Sequence, residues 1–425
     1  MDVYEPDRLQ TFVGLLLLTA VARRRAAAAK RRRTRRERRQ GCKKWLLQRE
    51  ELGHMGLIRE LRENNPDDFR NYMRMSDANF DELLERIGPK ITKQDTVMRT
   101  AITAEQRLSV TLRYLATGRL YADLKFTAAI SPQALGRIIP ETCAAIVSEL
   151  MPEYVKFSLF ASEWQAVAHD FHMIWNFPNC GGAVDGKHVR INPPPNSGSY
   201  FYNYKGFFSV VLMALVNARY EFMMVDVGKN GRVSDGGVME ATEFNRRLKK
   251  RQLQLPKNDD TVEHLNFVFV ADEAFALGEN LVKPFPQRGL DKPKRIFNYR
   301  LLRARRVVEN AFGILAQRFR VFLTAINVDP DKVEVIVKAA CTLHNFLRQK
   351  NVQRYCPPTM VDQEDLENGS VVAAEWRAHP GMVPLHSGSS HNPTYEAKTN
   401  RDKYKDYFTG SGAVTWQEKM IATGN

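Results

Sequence analysis

Apolar residues recur every three or four positions from about residue 55 to residue 150, a spacing that predicts a succession of helices. Ser76, Thr103 and Ser131 stand where helix N-caps are expected, and Thr103 begins a Thr-Ala-Glu-Gln sequence that resembles a capping box. The predicted helices cover residues 55–63, 66–75, 77–87, 103–115, 121–128 and 131–150. This part of the chain is therefore expected to be entirely helical.

The last three of these helices suggest a DNA-binding arrangement. A helix, a short helix, a turn at Ile130-Ser131 and a third helix follow the order of a helix-turn-helix motif, whose last helix enters the major groove. Gln133 and Arg137, near the start of that helix, are then the candidate contacts. Three packed helices without a role in DNA binding would give the same pattern, so both interpretations stay open.

Beyond residue 180 the pattern changes to short runs of β-branched and aromatic residues, which predict strands. Strands are predicted at 182–185, 207–216, 221–227 and 266–271, and helices at 162–174, 234–250, 299–322 and 331–349. Strand, strand, strand, helix, strand, long connection and helix is the element order of the ribonuclease-H-like fold. The predicted fold class is α/β: a ribonuclease-H-like mixed sheet flanked by helices, preceded by an all-helical, helix-turn-helix-like N-terminal domain.

Three acidic residues occupy places that this fold would bring together. Asp185 ends the first strand before a predicted turn, Asp272 follows the fourth strand, and Glu309 lies in the long helix after it. Mg²⁺ prefers oxygen ligands, and two such ions can activate a nucleophile and stabilise the leaving oxygen of a phosphodiester. Each acid also has a structural alternative: a turn residue for Asp185 or Asp272, and a surface charge beside an arginine for Glu309.

The charge of the chain is unevenly distributed. The 425 residues carry a formal net charge of +15, and residues 23–39 alone hold eleven Lys and Arg against the single acid Glu37. Such a block favours a polyanionic partner, nuclear import or both, with a solvated charged face as the plain alternative. The apolar run at 11–22 is shorter than the roughly 18 to 20 residues of a membrane-spanning helix, so we expect no membrane association.

Composition divides the chain into four parts. Residues 1–51 are predicted to form an apolar helix and a basic arm, partly disordered, followed by the helical domain at 52–160 and the ribonuclease-H-like domain at 161–350. Residues 351–425 contain Pro, Ser, Gly, Asn and single aromatic residues without periodicity, which predicts a mostly disordered tail. Five widely spaced cysteines without a CxxC pair favour a reducing compartment.

Four segments resemble the PIF/Harbinger transposases and the nucleases derived from them. They are AVDGKH (183–188), VADEAF (270–275), VVENAFGILAQRFRVF (307–322) and CTLHNFL (341–347), and the helical lead-in and residues 202–228 are similar as well. The resemblance implies a DDE nuclease of the ribonuclease-H-like fold over 161–350. It implies Asp185, Asp272 and Glu309 as the catalytic acids, holding a divalent metal, Mg²⁺ or Mn²⁺, as two ions.

The family also implies a metal-dependent DNA endonuclease or transposase that acts in the nucleus, with a cytoplasmic pool as a second option. Its partners would be DNA and a separately encoded Myb-like DNA-binding protein, and a homo-oligomer is compatible. Two places depart from the family pattern: Ala271 stands where glycine is usual, and Ser234-Asp235-Gly236 replaces a His-Asp-Ser loop. Some relatives act without catalysis, so the alternative is a domesticated, non-catalytic DNA- or chromatin-binding adaptor.

Several basic side chains near the acids are candidate contacts to DNA phosphates, where cations control affinity and its salt dependence. They are Lys187, His188, Lys205, Arg305 and Arg306. Solvated surface positions are an equal alternative for these residues. Cys341 and His344 could form half of a metal site, but no second pair lies nearby, which favours core packing.

Overall fold

The computed structural model describes residues 23–28, 43–97, 100–158, 160–233, 235–379, 381–385 and 392–422, without the side chains of residues 235 and 236. The apolar run at 11–22 and most of the predicted basic arm lie outside the described residues, so their roles remain predictions. None of the described helices combines the length and the apolar character needed to cross a membrane.

The first part of the chain is helical up to Trp175. The helices are α1 (23–28), α2 (Lys44–Leu47), α3 (Arg49–Leu52), α4 (Met55–Asn64), α5 (Pro66–Met73), α6 (Asp77–Ile91), α7 (Ala104–Thr117), α8 (Tyr121–Ala128), α9 (Pro132–Tyr154) and α10 (Ala161–Trp175). The caps explain where helices begin: Thr103 and Gln106 form the predicted capping box of α7, and the Ser131 hydroxyl accepts from the Ala134 N–H at the start of α9.

Helix α9 follows α8 after a three-residue turn, and its first turns are accessible. Gln133 and Arg137 are exposed there, whereas Leu135 and Ile139 are buried on the opposite side. Farther along, α9 packs against the long helix Pro330–Lys350. The geometry leaves the two polar side chains free to contact a partner.

The second part of the chain contains the sheet and the long helices. The elements are β1 (Cys180–Arg190), β2 (Ser209–Val216), β3 (Phe222–Asn230), α11 (Asp235–Glu240), α12 (Glu243–Lys249), β4 (Val268–Ala271), β5 (Leu281–Val282), α13 (Lys292–Arg318), α14 (Pro330–Lys350), α15 (Val352–Tyr355), β6 (Gln363–Asp365), β7 (Ser370–Val372), β8 (Val383–Pro384), α16 (Tyr395–Thr409) and α17 (Gln417–Ala422). Short 3-10 helices cover Asn258–Asp260, Val262–His264, Arg320–Leu323, Pro358–Met360 and Glu375–Ala378.

The main sheet is mixed, with the strand order β3-β2-β1-β4-β5 and β8 added beside β1. Strand β2 pairs antiparallel with both β1 and β3. On the other side, β4 pairs in parallel with β1, and β5 pairs in parallel with β4. Helices cover both faces of the sheet. The predicted architecture, a mixed sheet flanked by helices after a helical region, is confirmed at this level.

Strand β1 is longer than the sequence pattern suggests. It begins at Cys180 and continues to Arg190, so the turn predicted after Asp185 is wrong. The reason is the partner strand: β2 pairs with β1 without interruption from Ala183 to Arg190. At the other end, Gly182 adopts a φ of +145°, a conformation that suits glycine, where the pairing with β4 shifts by a bulge.

The two faces of the sheet bury different cores, because alternate residues of a strand point to opposite sides. Ala183 and Val189 of β1 join the core beneath α13, together with Val307 and Phe312. Val184 joins the opposite core, whose large members are Trp164, Phe244, Phe267 and Phe269. Asp185, two residues after Ala183, therefore faces α13.

Within the described ranges the C-terminal segment is packed rather than disordered, which corrects the prediction of a mostly disordered tail. Helix α16 lies against α13 and buries Tyr404 and Phe408 completely. Tyr404 stacks on Phe177 with the ring centroids 5.5 Å apart, and its hydroxyl donates to the Asn266 carbonyl at 2.7 Å. The buried residues Ala397, Asn400, Tyr404 and Phe408 are three or four positions apart, so they form one face of the helix, and this face packs on the main domain.

Candidate active site

Asp185 lies in the middle of β1 and is almost fully buried, with 3% of its surface exposed. Its Oδ1 accepts a hydrogen bond from the Gly186 N–H at 2.8 Å. Its Oδ2 is buried and lies 2.7 Å from Lys187 Nζ, an ion-pair contact outside hydrogen-bond geometry. The sheet thus holds one carboxylate oxygen rigidly and leaves the other to a single cation.

Asp272 is placed beside Asp185 by the strand register. Val184 of β1 is paired in parallel with Ala271 of β4, so the two acids are the next residues on neighbouring strands. Neighbouring strands lie about 5 Å apart, which sets the separation of the two backbones. Asp272 is half-buried, and its Oδ1 accepts from the Glu273 N–H at 2.6 Å.

The edge of β1 changes partner at this point. Strand β4 ends at Ala271, and β8 pairs with Lys187 and His188 farther along the same strand. Between them the backbone of β1 at Asp185 has no strand neighbour on that side within the described residues.

Glu309 comes from α13 and is held by two arginines. Arg305, one helical turn earlier, has Nη2 2.5 Å from Glu309 Oε1, and Arg377 has Nη2 3.0 Å from Oε2. Burial by itself would raise the pKa of the Glu309 carboxyl, but Arg305, Lys187 and Arg377 together hold the pKa below its ordinary value. Glu309 is therefore ionised at neutral pH.

Arg305 is the point at which the three acids meet electrostatically. Burial works to lower the pKa of this guanidinium, whereas Glu309, Asp272 and Asp185 together hold the pKa above its ordinary value. A groove of about 460 Å³ opens beside it and is lined by Asp272, Glu273, Arg295, Asn298 and Arg305, among others. The three acids thus share one side of the sheet around a common cation and next to an accessible groove.

The acids do not form a ready metal cluster. In the part of the chain that the structure describes, no group of three His, Cys, Asp or Glu side chains has an arrangement that could hold a metal ion. The contacts explain the result, because Lys187 pairs with Asp185 and two arginines occupy both oxygens of Glu309. Repulsion between neighbouring carboxylates is relieved here by side chains of the protein.

The predicted phosphate contacts differ in how far they are exposed to solvent. Lys205 is exposed on the loop between β1 and β2, and its Nζ lies 5.4 Å from the centre of the Tyr204 ring. Lys187 and Arg305 border the acids and are mostly buried in their ion pairs. Of these, Lys205 is open to a ligand without rearrangement, and the other two would have to exchange partners.

His188 and Arg306 are corrections to the sequence prediction. His188 is 1% exposed, its Nδ1 lies 2.9 Å from the Ser209 hydroxyl, and burial followed by the nearby Lys205 lowers its pKa to about 4. Arg306 is buried and lies 2.8 Å from Glu364 Oε1, with Asp362 also within ion-pair distance. Neither side chain reaches the surface, so neither contacts DNA in this conformation.

Two residues of the site were missed because they lie in the segment interpreted as disordered. Arg377 bridges Glu309 to Asp362, with Nη2 2.5 Å from Asp362 Oδ2. Trp376 packs over Gly313 of α13 and donates its indole N–H to Asn310 Oδ1 at 3.1 Å. A local sequence pattern could not predict this pair, since Arg377 and Glu309 are 68 residues apart in the chain.

Cys341 and His344 belong to the core, as the sequence favoured. Both are fully buried on α14, and burial raises the pKa of the Cys341 thiol. His344 is satisfied by two partners: its Nε2 lies 2.8 Å from the Tyr220 carbonyl and its Nδ1 lies 3.1 Å from the Tyr355 hydroxyl.

Comparison with known families identifies the domain. Residues 184–345 match the family of DDE superfamily endonucleases, and this range contains Asp185, Asp272 and Glu309. The chain contains a DDE superfamily endonuclease domain. The resemblance predicted from the four sequence segments is thereby confirmed at the level of the DDE superfamily.

Relatives of the chain support the same assignment. The human protein HARBI1, named as a candidate nuclease, is 24% identical over 283 residues, which cover 65% of this chain and 76% of that protein. The Protein ALP1-like of Arabidopsis thaliana is 22% identical over 317 residues, covering 71% of this chain and 76% of that protein. HARBI1 of Xenopus laevis is 23% identical over 280 residues, with coverages of 64% and 76%. No solved structure matches the chain significantly.

Proposed function

We propose that the protein is a divalent-metal-dependent DNA endonuclease or transposase of Harbinger type, built on a ribonuclease-H-like fold. The sheet order β3-β2-β1-β4-β5, antiparallel in its first three strands and parallel in the last two, is consistent with that fold. The observation that carries the proposal is the placement of Asp185 and Asp272 on neighbouring strands, with Glu309 on α13, the helix that contacts both strands.

The donor atoms fit a hard divalent cation such as Mg²⁺ or Mn²⁺. All three side chains are carboxylates, and the buried Oδ2 of Asp185 accepts no hydrogen bond among the described residues. Asp185, Asp272 and Glu309 are proposed as the residues that would hold the metal. When bound, such ions would supply activation of a nucleophile and stabilisation of the leaving oxygen of a phosphodiester.

Lys187 and Arg305 are proposed to have one role before a metal binds and another role afterwards. Lys187 forms an ion pair with Asp185, and Arg305 forms one with Glu309. Their ammonium and guanidinium groups are proposed to turn to phosphate oxygens of the DNA once the acids are occupied. Lys205 would extend the same basic edge at the surface.

The helical region is proposed to contribute to DNA binding. Gln133 and Arg137 are exposed on the first turns of α9, where a recognition helix would carry its base contacts. A separate Myb-like DNA-binding protein, a nuclear location and a homo-oligomeric state are proposed from the family resemblance.

A second function is favoured by one observation. Asp185 is paired with Lys187 and Glu309 with Arg305 and Arg377, so that no three-acid metal cluster occurs within the described ranges. A domesticated DNA- or chromatin-binding adaptor would retain such internally neutralised acids. It would bind DNA without cutting it.

Nicking of supercoiled plasmid DNA distinguishes the two functions. The assay compares the wild-type chain with Asp185→Asn, Asp272→Asn and Glu309→Gln in Mg²⁺, in Mn²⁺ and in EDTA, with and without the partner protein. Asp226→Asn is a matched control, since Asp226 is a carboxylate of the same sheet on β3. A nuclease loses at least about a hundredfold in rate with each of the three changes and none with the control. Absence of metal-dependent nicking by the wild type, despite DNA binding, would establish the adaptor.

A further inference from the structure

A second basic site lies away from the acids, between the helical region and the end of α13. A cleft of about 640 Å³ is lined there by Arg74, Arg113, Arg119 and Arg320, with Asp68 as its acid. An adjoining groove of about 240 Å³ is lined by Arg70, Arg74, Arg318, Lys350 and Arg354. Arg74 belongs to both, so the two form one surface, which we name the arginine cleft.

Four guanidinium groups of the arginine cleft have no acidic partner in the described part of the chain. Arg74 donates to the Asn71 amide oxygen, Arg113 to the Tyr72 carbonyl, and Arg318 to the carbonyls of Tyr355 and Arg354. Arg320 is exposed at the rim. Of the remaining basic residues, Arg70 and Arg354 share Asp67, Arg119 pairs with Asp123, and Lys350 pairs with Glu82.

The central arginines are held in place although they repel one another. The Arg113 guanidinium lies 3.7 Å from the centre of the Tyr72 ring, and that of Arg318 lies 5.1 Å from the centre of the Tyr355 ring. Burial and then the charges of Arg318, Arg113 and Arg320 lower the pKa of Arg74. Its Nε is buried without a hydrogen-bond partner among the described residues. Such a cluster favours an anion, which would relieve the repulsion.

We propose that the arginine cleft binds the phosphodiester backbone of DNA. Guanidinium groups match phosphate oxygens in a bidentate manner, and hydroxyl and amide side chains commonly complete such contacts. Asn71, Thr117 and Thr324 line the cleft beside the arginines. The proposal rests on the proposed nuclease function for the identity of its ligand and adds a contact that the acids do not make.

The arginine cleft and the acids are joined by one rigid element. Glu309 and Arg318 both lie on α13, nine residues apart, which corresponds to about 14 Å along a helix axis. A DNA backbone bound at the cleft would thus be held at a fixed distance from the acids. The cleft would supply binding affinity, and the acids the chemistry.

Fluorescence anisotropy of a labelled duplex of about 20 base pairs, in EDTA, tests this site without any cleavage. The full chain is compared with Arg320→Gln, with the double variant Arg74→Gln/Arg320→Gln and with Asp185→Asn, over a range of salt concentrations. Arg251→Gln is the matched control, because Arg251 follows α12 on the opposite side of the sheet and its side chain is 84% exposed. Thermal unfolding of each variant establishes that it is folded.

The double variant is expected to bind the duplex about tenfold more weakly, and its log–log salt slope is expected to fall by about 2, one for each lost phosphate contact. The control is expected to bind like the wild type, and Asp185→Asn is expected to bind at least as tightly, because it removes a negative charge and releases Lys187. Equal losses in the control and the double variant would overturn the proposal. So would a cleft that binds a polyglutamate peptide while the duplex affinity stays unchanged in the double variant.

The two proposals fail separately in these experiments. A chain that never nicks DNA but loses duplex affinity in the double variant keeps the arginine cleft and loses the nuclease. A chain that nicks DNA through Asp185 but binds the duplex equally well in the double variant keeps the nuclease and loses the cleft.

Discussion

Arg377 ties the third acid of the candidate active site to the C-terminal segment. Its Nη2 lies 3.0 Å from Glu309 Oε2 and 2.5 Å from Asp362 Oδ2. Asp362 is buried and also lies near Arg306, so the bridge is part of an ion network between α13 and the tail. The tail is therefore a structural part of the site.

Removal of this bridge should destabilise the protein. We expect Arg377→Ala to lower the free energy of unfolding by about 2 to 3 kcal/mol, because it leaves the buried Asp362 carboxylate with fewer partners. Urea denaturation measures the loss. Arg59→Ala is the control, since the pair of Arg59 with Glu50 is more than half exposed and should contribute less than about 0.5 kcal/mol. Equal stabilities of the two variants would contradict the bridging role.

A glycine beside the site offers a second test. An added methyl group at Gly313 would overlap the Trp376 indole, so Gly313→Ala should lower the melting temperature. Alanine in place of a helical glycine otherwise stabilises by about 0.5 to 1 kcal/mol. Gly136→Ala on α9 should show that gain, because its new methyl group meets the Tyr121 ring at an ordinary 3.7 Å. A stabilised Gly313→Ala variant would mean that Trp376 does not pack on α13.

The packing of the C-terminal helix can be tested on the helix itself. Tyr404→Ala should cost about 3 to 5 kcal/mol, because the ring is fully buried against Phe177. Tyr395→Ala, at the start of the same helix, removes a side chain that is 79% exposed and should change stability by less than about 0.5 kcal/mol. If calorimetry showed equally small losses of stability in the two variants, the tail would be disordered, as its sequence predicted.

The sequence was sufficient for the parts of the fold that depend on local patterns. The capping box at Thr103 and the cap at Ser131 placed the starts of α7 and α9, and the apolar runs placed the strands. The end of β1 was wrong because Asp185 and Gly186 read locally as a turn, whereas pairing with β2 extends the strand to Arg190. Strand length is set by the partner strand, which a local pattern does not contain.

The candidate site was predictable as far as its acids, because each acid follows or lies within a recognisable element. Two further features depend on the tertiary structure. They are the strand register that places Asp185 beside Asp272 and the position of Arg305 near the three acids. Arg306 and His188 were misplaced at the surface for the same reason. Charge predicts exposure on average, but Glu364 neutralises Arg306 in the interior, and Ser209 contacts Nδ1 of the buried His188.

Acid should weaken the fold through a buried histidine. Burial, together with the charges of Arg348 and Arg318, lowers the pKa of His344 to about 3, although the Tyr220 carbonyl works to raise it. The unfolded chain takes up a proton near pH 6.5 and the folded chain does not, so stability falls as the pH drops from 6.5 toward 3, by about 1.4 kcal/mol per unit.

Urea denaturation at pH 7.5 and pH 5.5 measures this effect. The wild type should lose more stability between the two pH values than His344→Gln, by about 1 kcal/mol. His54 and His188, whose pKa values burial also lowers to about 4, should add to the loss in both proteins. An identical loss in the two proteins would show that His344 is charged in the folded state.

The central claim is that Asp185, Asp272 and Glu309 hold one divalent-metal centre. Electron paramagnetic resonance of free Mn²⁺ during a titration with the protein measures this binding directly, without DNA or cleavage. We expect saturable binding by the wild type, weakened at least about tenfold in each of Asp185→Asn, Asp272→Asn and Glu309→Gln and unchanged in Asp226→Asn. Equal Mn²⁺ affinity in the wild type and the three acid variants would contradict it.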